Sequence, residues 1–341
     1  MNPLFSFTCL SIIFSFTVFA DKESLVSFLP DDTFFVLEVD NWGKLKDDLQ
    51  DGPWGEIEKF PVWEKISGMI ESELQRGKNK KFKSNFTEAK ETVLDPLLDS
   101  VEGRMVLGVS DFTSVLEHEH IMQEGGNINS VQKMPFFAFI AESSLKQNDF
   151  DEIISSLEDL AKNAEVQKTK IGDTPVYWIL QKSHNDLKDL DAKDAGLCLA
   201  IDKGKLFMLT GGEKSVESVF EKSFEDGKSL TDNQSYIDCF DEIGKGQARM
   251  FFNFKEGIRT ILESKSKKME IPQNPFGIEK NGLINGLGLD GLNYLGVCLD
   301  AKSGEFEMGS FLGMNQRKGI LSFLSPVKGE LENHIFVSKD V

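Results

Sequence analysis

Only three tyrosines, four histidines and four cysteines occur among 341 residues. Cysteine is too sparse and too scattered for a disulfide framework: Cys9 falls in the leader, and Cys198, Cys239 and Cys298 form an odd set at distant positions. Two of them sit in the strand-like runs "GLCLAI" and "LGVCLD", where they read as small buried hydrophobes with free thiols. Positive charge is also short, and the formal net charge of −18 excludes nucleic acid as an expected partner. The basic run "RGKNKKFK" (Arg76 to Lys83) is a local exception that reads as a solvated helix end or loop. After the first twenty residues no apolar run approaches membrane-spanning length. A G-x-S-x-G nucleophile elbow and a P-loop are both absent.

Residues 1–20, "MNPLFSFTCLSIIFSFTVFA", carry no charged side chain and run apolar from Leu4 into a charged "DKES". This is the pattern of a secretory signal peptide, with Val18 and Ala20 at the −3 and −1 positions of a cleavage site after Ala20, although the usual basic n-region residue is missing. The alternative is a retained anchor, for which about 17 apolar residues lie at the lower limit of a span. Cys9 lies inside the apolar region, which excludes a lipoprotein reading. About 320 residues remain, enough for one large or two ordinary domains, and 28 phenylalanines provide for a substantial core.

Strand and helix patterns alternate. "TFFVLEVD" reads as a strand followed by a helix capped by Asn41. "FPVWEKISGMIESEL" places Val62, Ile66, Met69 and Ile70 on one helical face. "RMVLGVSDF" and "PFFAFIAES" read as strands separated by a polar loop. "NDFDEIISSLEDLAKNA" keeps Phe150, Ile153, Ile154, Leu157 and Leu160 at helical spacing behind an Asn148 or Asp149 cap. Hairpins follow at Gly172-Asp173 and Lys203-Gly204, the arms of the second being apolar on both faces. "EKSVESVFEKSF" adds a helix. "LNYLGVCLDAKSGEFEMGSFLGM" reads as a last hairpin, whose second arm alternates Phe306 and Met308 against Glu305 and Glu307 and so predicts a wet glutamate face. The strand-then-helix phrase recurs at "FFVLEVDNWGKLKDDL", "PFFAFIAESSLKQNDFDEIISSL" and "RMFFNFKEGIRTILES", as an internal duplication or as the ordinary alternation of an α+β protein.

Four patterns invite chemistry. "GLGLDG" supplies Gly286, Gly288 and Gly291 in a G-x-G-x-x-G array, but a dinucleotide site needs a strand before it and a helix after it, and a hairpin follows here. "EHEH" sets His118 and His120 two apart among glutamates; alternating histidines can chelate zinc from one face of a strand, yet the remaining histidines, His184 and His334, are remote and no recognised zinc spacing is present. "HNDLKDLDAKDAG" collects Asp186, Asp189, Asp191 and Asp194, but Lys193 occupies a ligand position of the calcium-loop rule. The sequons at Asn85 and Asn233 are short enough to recur by chance.

"FLPDDTFFVLEVDNWGKLKDDLQDGPWGEI" and "LINGLGLDGLNYLGVCLDAKSGEFEMGSFLGMNQRKGILSFL" together resemble a family of uncharacterised exported bacterial proteins grouped as a domain of unknown function. That family opens its mature chain with an LPxDT…VxVD phrase and carries a later LGLDGL segment. The resemblance implies export, an architecture and a recurring structural turn at "GLGLDG", and it implies no site residues. Family members often continue into a second F-V-P-x-D phrase, whose place here is taken by Phe336-Val337-Ser338-Lys339-Asp340 with serine where proline would stand.

The expected fold is α+β, with antiparallel sheets built from hairpins and amphipathic helices covering one face. It spans residues 21–333 as one domain or a pair of related subdomains with a boundary near 145–165, followed by a tail at 334–341 that reads as frayed or as the start of a second half. The expected function is that of an exported, periplasmic or secreted, non-enzymatic protein that binds an envelope or extracellular ligand or protein, or acts as a scaffold. No cofactor and no catalytic residue are expected. The alternative is an exported metal-dependent hydrolase using His118 and His120.

Overall fold

The computed structural model describes residues 24–52, 90–110, 136–160, 164–181, 196–224, 227–263, 280–302 and 305–316. The leader, the helix expected at 60–74, the basic run at 76–83, Asn85, His118, His120, the aspartates at 186–194 and the tail lie outside these residues, as do His184 and His334.

One sheet organises the chain. Its ten strands run in the order β10-β9-β8-β1-β2-β3-β7-β6-β5-β4, and every neighbouring pair is antiparallel. They are β1 (Phe35–Val39), β2 (Val101–Val109), β3 (Phe137–Ser143), β4 (Ala164–Ile171), β5 (Thr174–Gln181), β6 (Leu197–Asp202), β7 (Lys205–Thr210), β8 (Ala248–Asn253), β9 (Leu292–Lys302) and β10 (Glu305–Met314). The described helices are α1 (Trp42–Gln50), α2 (Asp95–Asp99), α3 (Gln147–Leu160), α4 (Glu213–Glu221), α5 (Gln234–Ile243), α6 (Phe254–Glu263) and α7 (Lys280–Leu287). This is the α+β, hairpin-built architecture that the patterns predict. All three repeated phrases appear as a strand leading into a helix, β1 to α1, β3 to α3 and β8 to α6. The β3–β7 pairing carries the sheet across the stretch 145–165 without interruption.

The helices cover both faces rather than one. Along β3, Ala138 and Ile140 point into one buried cluster while Phe139 and Ala141 point into another, and β5, β6 and β7 divide their residues in the same way. Strands that are apolar on both sides require cover on both sides. Val216 and Val219 of α4 and Tyr236 and Cys239 of α5 cover the first face, whereas Leu97, Phe150 and Ile154 cover the second. Trp178, Phe150, Phe207 and Phe251 are among the largest fully buried side chains and fill these layers.

Local chemistry explains the boundaries. The Asn41 side chain accepts from the Lys44 amide at 2.8 Å and starts α1 as expected. α3 begins at Gln147, one residue before the expected cap. Asn233, the residue of the second sequon, caps α5: its oxygen accepts from the Tyr236 amide at 3.1 Å and its Nδ2 donates to the Asp31 carbonyl at 2.7 Å. "GLGLDG" runs from the end of α7 through Gly288, at φ +77°, into a 3₁₀ turn and then β9. A helix therefore precedes the glycines and a hairpin follows them, the reverse of a dinucleotide site.

Glu305 and Glu307 of the last hairpin are exposed as predicted, but the apolar positions further along β10 change sides. Phe311, which shares the parity of Glu305 and Glu307, packs on the first buried face, while Met308 is 67% exposed. Glycines set this phase, because Gly309 lies beside the Cys298 thiol and Gly313 lies under the Tyr294 ring, where any side chain would collide. Large neighbouring groups fill the space that the glycines leave, and the face carrying Met308, Ser310 and Leu312 turns outward.

Candidate functional site

Antiparallel order brings the ends of β1, β3 and β6 and the starts of β2 and β7 to one rim of the sheet. There they enclose an open groove of about 670 Å³. Its walls carry both signs of charge: Asp40, Glu102 and Glu142 against Arg104, Lys203 and Lys205.

A bulge builds the floor. The β2–β3 register passes from Val101↔Ser143 to Met105↔Ala141, so Glu102, Gly103 and Arg104 together oppose Glu142. Because Gly103 has no side chain, the Glu142 carboxylate lies over its α-carbon. Arg104 then holds that carboxylate from two directions. Its Nε and Nη2 donate to Oε1 at 3.1 and 2.8 Å, and its backbone amide donates to Oε2 at 3.0 Å. Both side chains are about three-quarters shielded from solvent, which makes this a rigid pair rather than a loose surface contact. Behind it, Ser100 Oγ and Ser143 Oγ lie 2.8 Å apart, and the Ser143 amide donates to the Gly204 carbonyl at 2.9 Å, anchoring the β6–β7 turn to β3.

That turn forms the opposite lip. Lys203 and Gly204 both take positive φ, 47° and 72°, as a tight two-residue hairpin requires, and the Lys203 side chain projects with 84% exposure. Lys203 is thus held in a left-handed conformation that favours asparagine or glycine. Asp40 and Asn41 close the groove at the β1–α1 junction, with the Asp40 amide bonded to the Gln247 carbonyl at 2.9 Å.

A second polar cluster lies under α5. Glu38, on β1, accepts from the Tyr236 hydroxyl through Oε1 and from Arg249 Nη2 through Oε2, the latter at 2.7 Å. The Arg249 guanidinium rests over the Phe240 ring at 4.5 Å, and its buried Nε has no hydrogen-bond partner among the described residues. Burial and the Glu38 carboxylate push the Tyr236 hydroxyl far above the ordinary tyrosine range. Burial also pushes the thiols of Cys198 and Cys239 up to about 12, against an opposing pull from Arg249 at Cys239. Thiols so raised are poor nucleophiles at neutral pH, in keeping with the reading of these cysteines as core residues.

A third cluster joins α3 to the far end of the sheet. Asp151 accepts from Tyr177 at 2.8 Å and Gln147 at 2.6 Å, and Lys168 lies 3.4 Å away with its ammonium over the Tyr177 ring. Burial raises the Asp151 carboxyl, but these hydrogen bonds and the Lys168 charge outweigh it and hold the group below its ordinary value.

Among the described residues no group of three or more His, Cys, Asp or Glu side chains is placed to hold a metal ion. Likewise among the described residues, no helix is long and apolar enough to cross a membrane. The groove residues escape a reading by motif, since Asp40, Arg104, Glu142 and Lys203 come from four separated stretches. The local signal was "EGR" at 102–104, where a glycine between two charges interrupts the alternation of a strand.

No family model matches this chain, and no curated protein sequence matches it. Among solved structures the chain is similar to crystal form III of TP0453, at 10% identity over 89% of this chain and 85% of that one, with a TM-score of 0.38. It is similar also to crystal form I of TP0453, at 12% identity over 89% and 84%, with a TM-score of 0.34.

Proposed function

We propose that this is an exported, non-enzymatic binding protein of the periplasm or extracellular space, whose rim groove holds a mixed-charge segment of an envelope or extracellular partner. The observation that carries the reading is the groove itself: a preformed bulge fixes a guanidinium–carboxylate pair between an exposed cation, Lys203, and an exposed anion, Glu102. Such an arrangement offers donors and acceptors of both signs to a segment that carries an ammonium or guanidinium beside a carboxylate. The leader at 1–20 supports export, and the resemblance to exported proteins of unknown function supports it as well. Close-packed side chains on both faces favour recognition at the polar rim over carriage of an apolar ligand in the interior.

The test exchanges charge without changing the net value. The full chain and its Glu102→Lys/Lys203→Glu variant are immobilised and exposed to an envelope extract, with circular dichroism confirming an unchanged fold. A partner captured by the parent and lost by the variant supports the reading, and equal capture by both removes the groove from it. Zinc analysis of the same protein serves the alternative. Stoichiometric zinc that disappears in His118→Ala/His120→Ala would replace a binding protein with a metal-dependent hydrolase.

A further inference from the structure

The two ends of the sheet are built differently. β4 closes one end with exposed Glu165, Lys168 and Lys170, the charged side chains that keep an edge from pairing with another chain. β10 closes the other with ten residues, and its outward positions show Met308 at 67% exposure, Leu312 at 37% and an exposed Ser310 between them. Its pairing with β9 turns the amides and carbonyls of Glu305, Glu307, Gly309, Phe311 and Gly313 inward, so those of Met308, Ser310 and Leu312 face away from the sheet. Among the described residues nothing pairs with them.

We infer that β10 is a self-association edge, and that two copies of this chain pair antiparallel through it on a two-fold axis at Ser310. The strand is complementary to itself about that residue. On the axis Ser310 meets Ser310, and Met308 of each copy lies beside Leu312 of the other, so each exposed apolar side chain covers one of its own kind. The carboxylates do not collide, because Glu307 falls opposite Gly313 and Glu305 opposite Asn315. A point-symmetric contact of this type closes after two copies and does not propagate. With a formal charge of −18 on each chain, association strengthens as salt screens the mutual repulsion.

The full chain is examined by sedimentation across a concentration series at low and high salt. The expected result is a reversible dimer, favoured by salt, that Met308→Lys and Ser310→Pro each weaken about a hundredfold. The proline removes an amide that β9 does not use, so it spares the monomer's own ladder. Register has its own readout. Ser310→Cys cross-links with itself under a mild oxidant, since directly opposed residues place their α-carbons about 5.5 Å apart. Met308→Cys does not cross-link with itself. A monomer throughout the series overturns the inference, as does a dimer indifferent to both interface variants, or self-cross-linking at 308 but not at 310. None of these readouts involves the rim groove, so the proposal stands or falls independently of the groove's function.

Discussion

Strands β3, β7, β6 and β5 bury apolar side chains on both faces, whereas β1, β8, β9 and β10 interleave them with Glu38, Arg249, glycines and an exposed methionine. The first half can only be the centre of a layered structure, since each face needs a helix over it. The second half can also hold an ion pair, admit neighbouring rings over glycines and end in an edge that is unpaired among the described residues. Both halves share one antiparallel ladder, so the difference lies in side chains and not in backbone.

Removing mass from the dry half should cost most. Trp178, 1% exposed, packs on the first face, and Trp178→Ala should lower the unfolding free energy by about 3–5 kcal/mol in urea titrations. In the polar half, Arg249→Met strips Glu38 of its cation inside the structure and should cost about 3 kcal/mol. Replacing the whole network, with Glu38→Leu and Tyr236→Phe added, should recover much of that loss, because no buried charge then remains. If the triple variant is less stable than Arg249→Met alone, the network contributes more than a compensated burial of charge and the contrast between the halves is weaker than drawn.

A smaller effect is expected at the junction of α3 with β4 and β5. The Asp151 carboxyl is held below its ordinary value, so its contribution is fully present above that value of 3.8 and is lost as pH falls through the lowered folded value. Asp151→Asn should therefore lower stability at neutral pH and flatten the acid limb, so that parent and variant converge below the folded value. An unaltered acid limb would show that the Tyr177 and Lys168 contacts do not distinguish folded from unfolded chain. The smallest change concerns the groove's lip. Lys203→Asn suits the left-handed first position of the β6–β7 turn and should raise stability by about 0.5 kcal/mol, read as a small rise in melting temperature.

What the sequence discloses follows the same division. Hairpins at Gly172-Asp173 and Lys203-Gly204, the Asn41 cap and the α3 stripe are local, and the structure contains each of them. The doubly apolar arms of β6 and β7 require cover on both faces, which is what the two buried clusters supply in place of one covered face. Glu305 and Glu307 at the start of β10 are wet as their alternation predicts, but further along Cys298 and Tyr294 on β9 press against Gly309 and Gly313, so Phe311 packs inward and Met308 does not. The groove was illegible for a similar reason. Glu142 reaches Arg104 across 38 positions, and Glu38 reaches Arg249 across 211, distances at which periodicity carries no information. Asn233 shows the converse, a motif that reads as a modification signal and serves as a helix cap.

Whether a partner sits in the rim groove can be read from a lysine footprint. The partner captured from an envelope extract is left bound while the complex is acylated, and modification at Lys203 is compared with that at Lys168 and Lys170 on the distant β4 edge. A partner seated in the groove should protect Lys203 and leave the modification of the two edge lysines unchanged. Equal modification of Lys203 in the free and captured protein would show that the partner binds elsewhere.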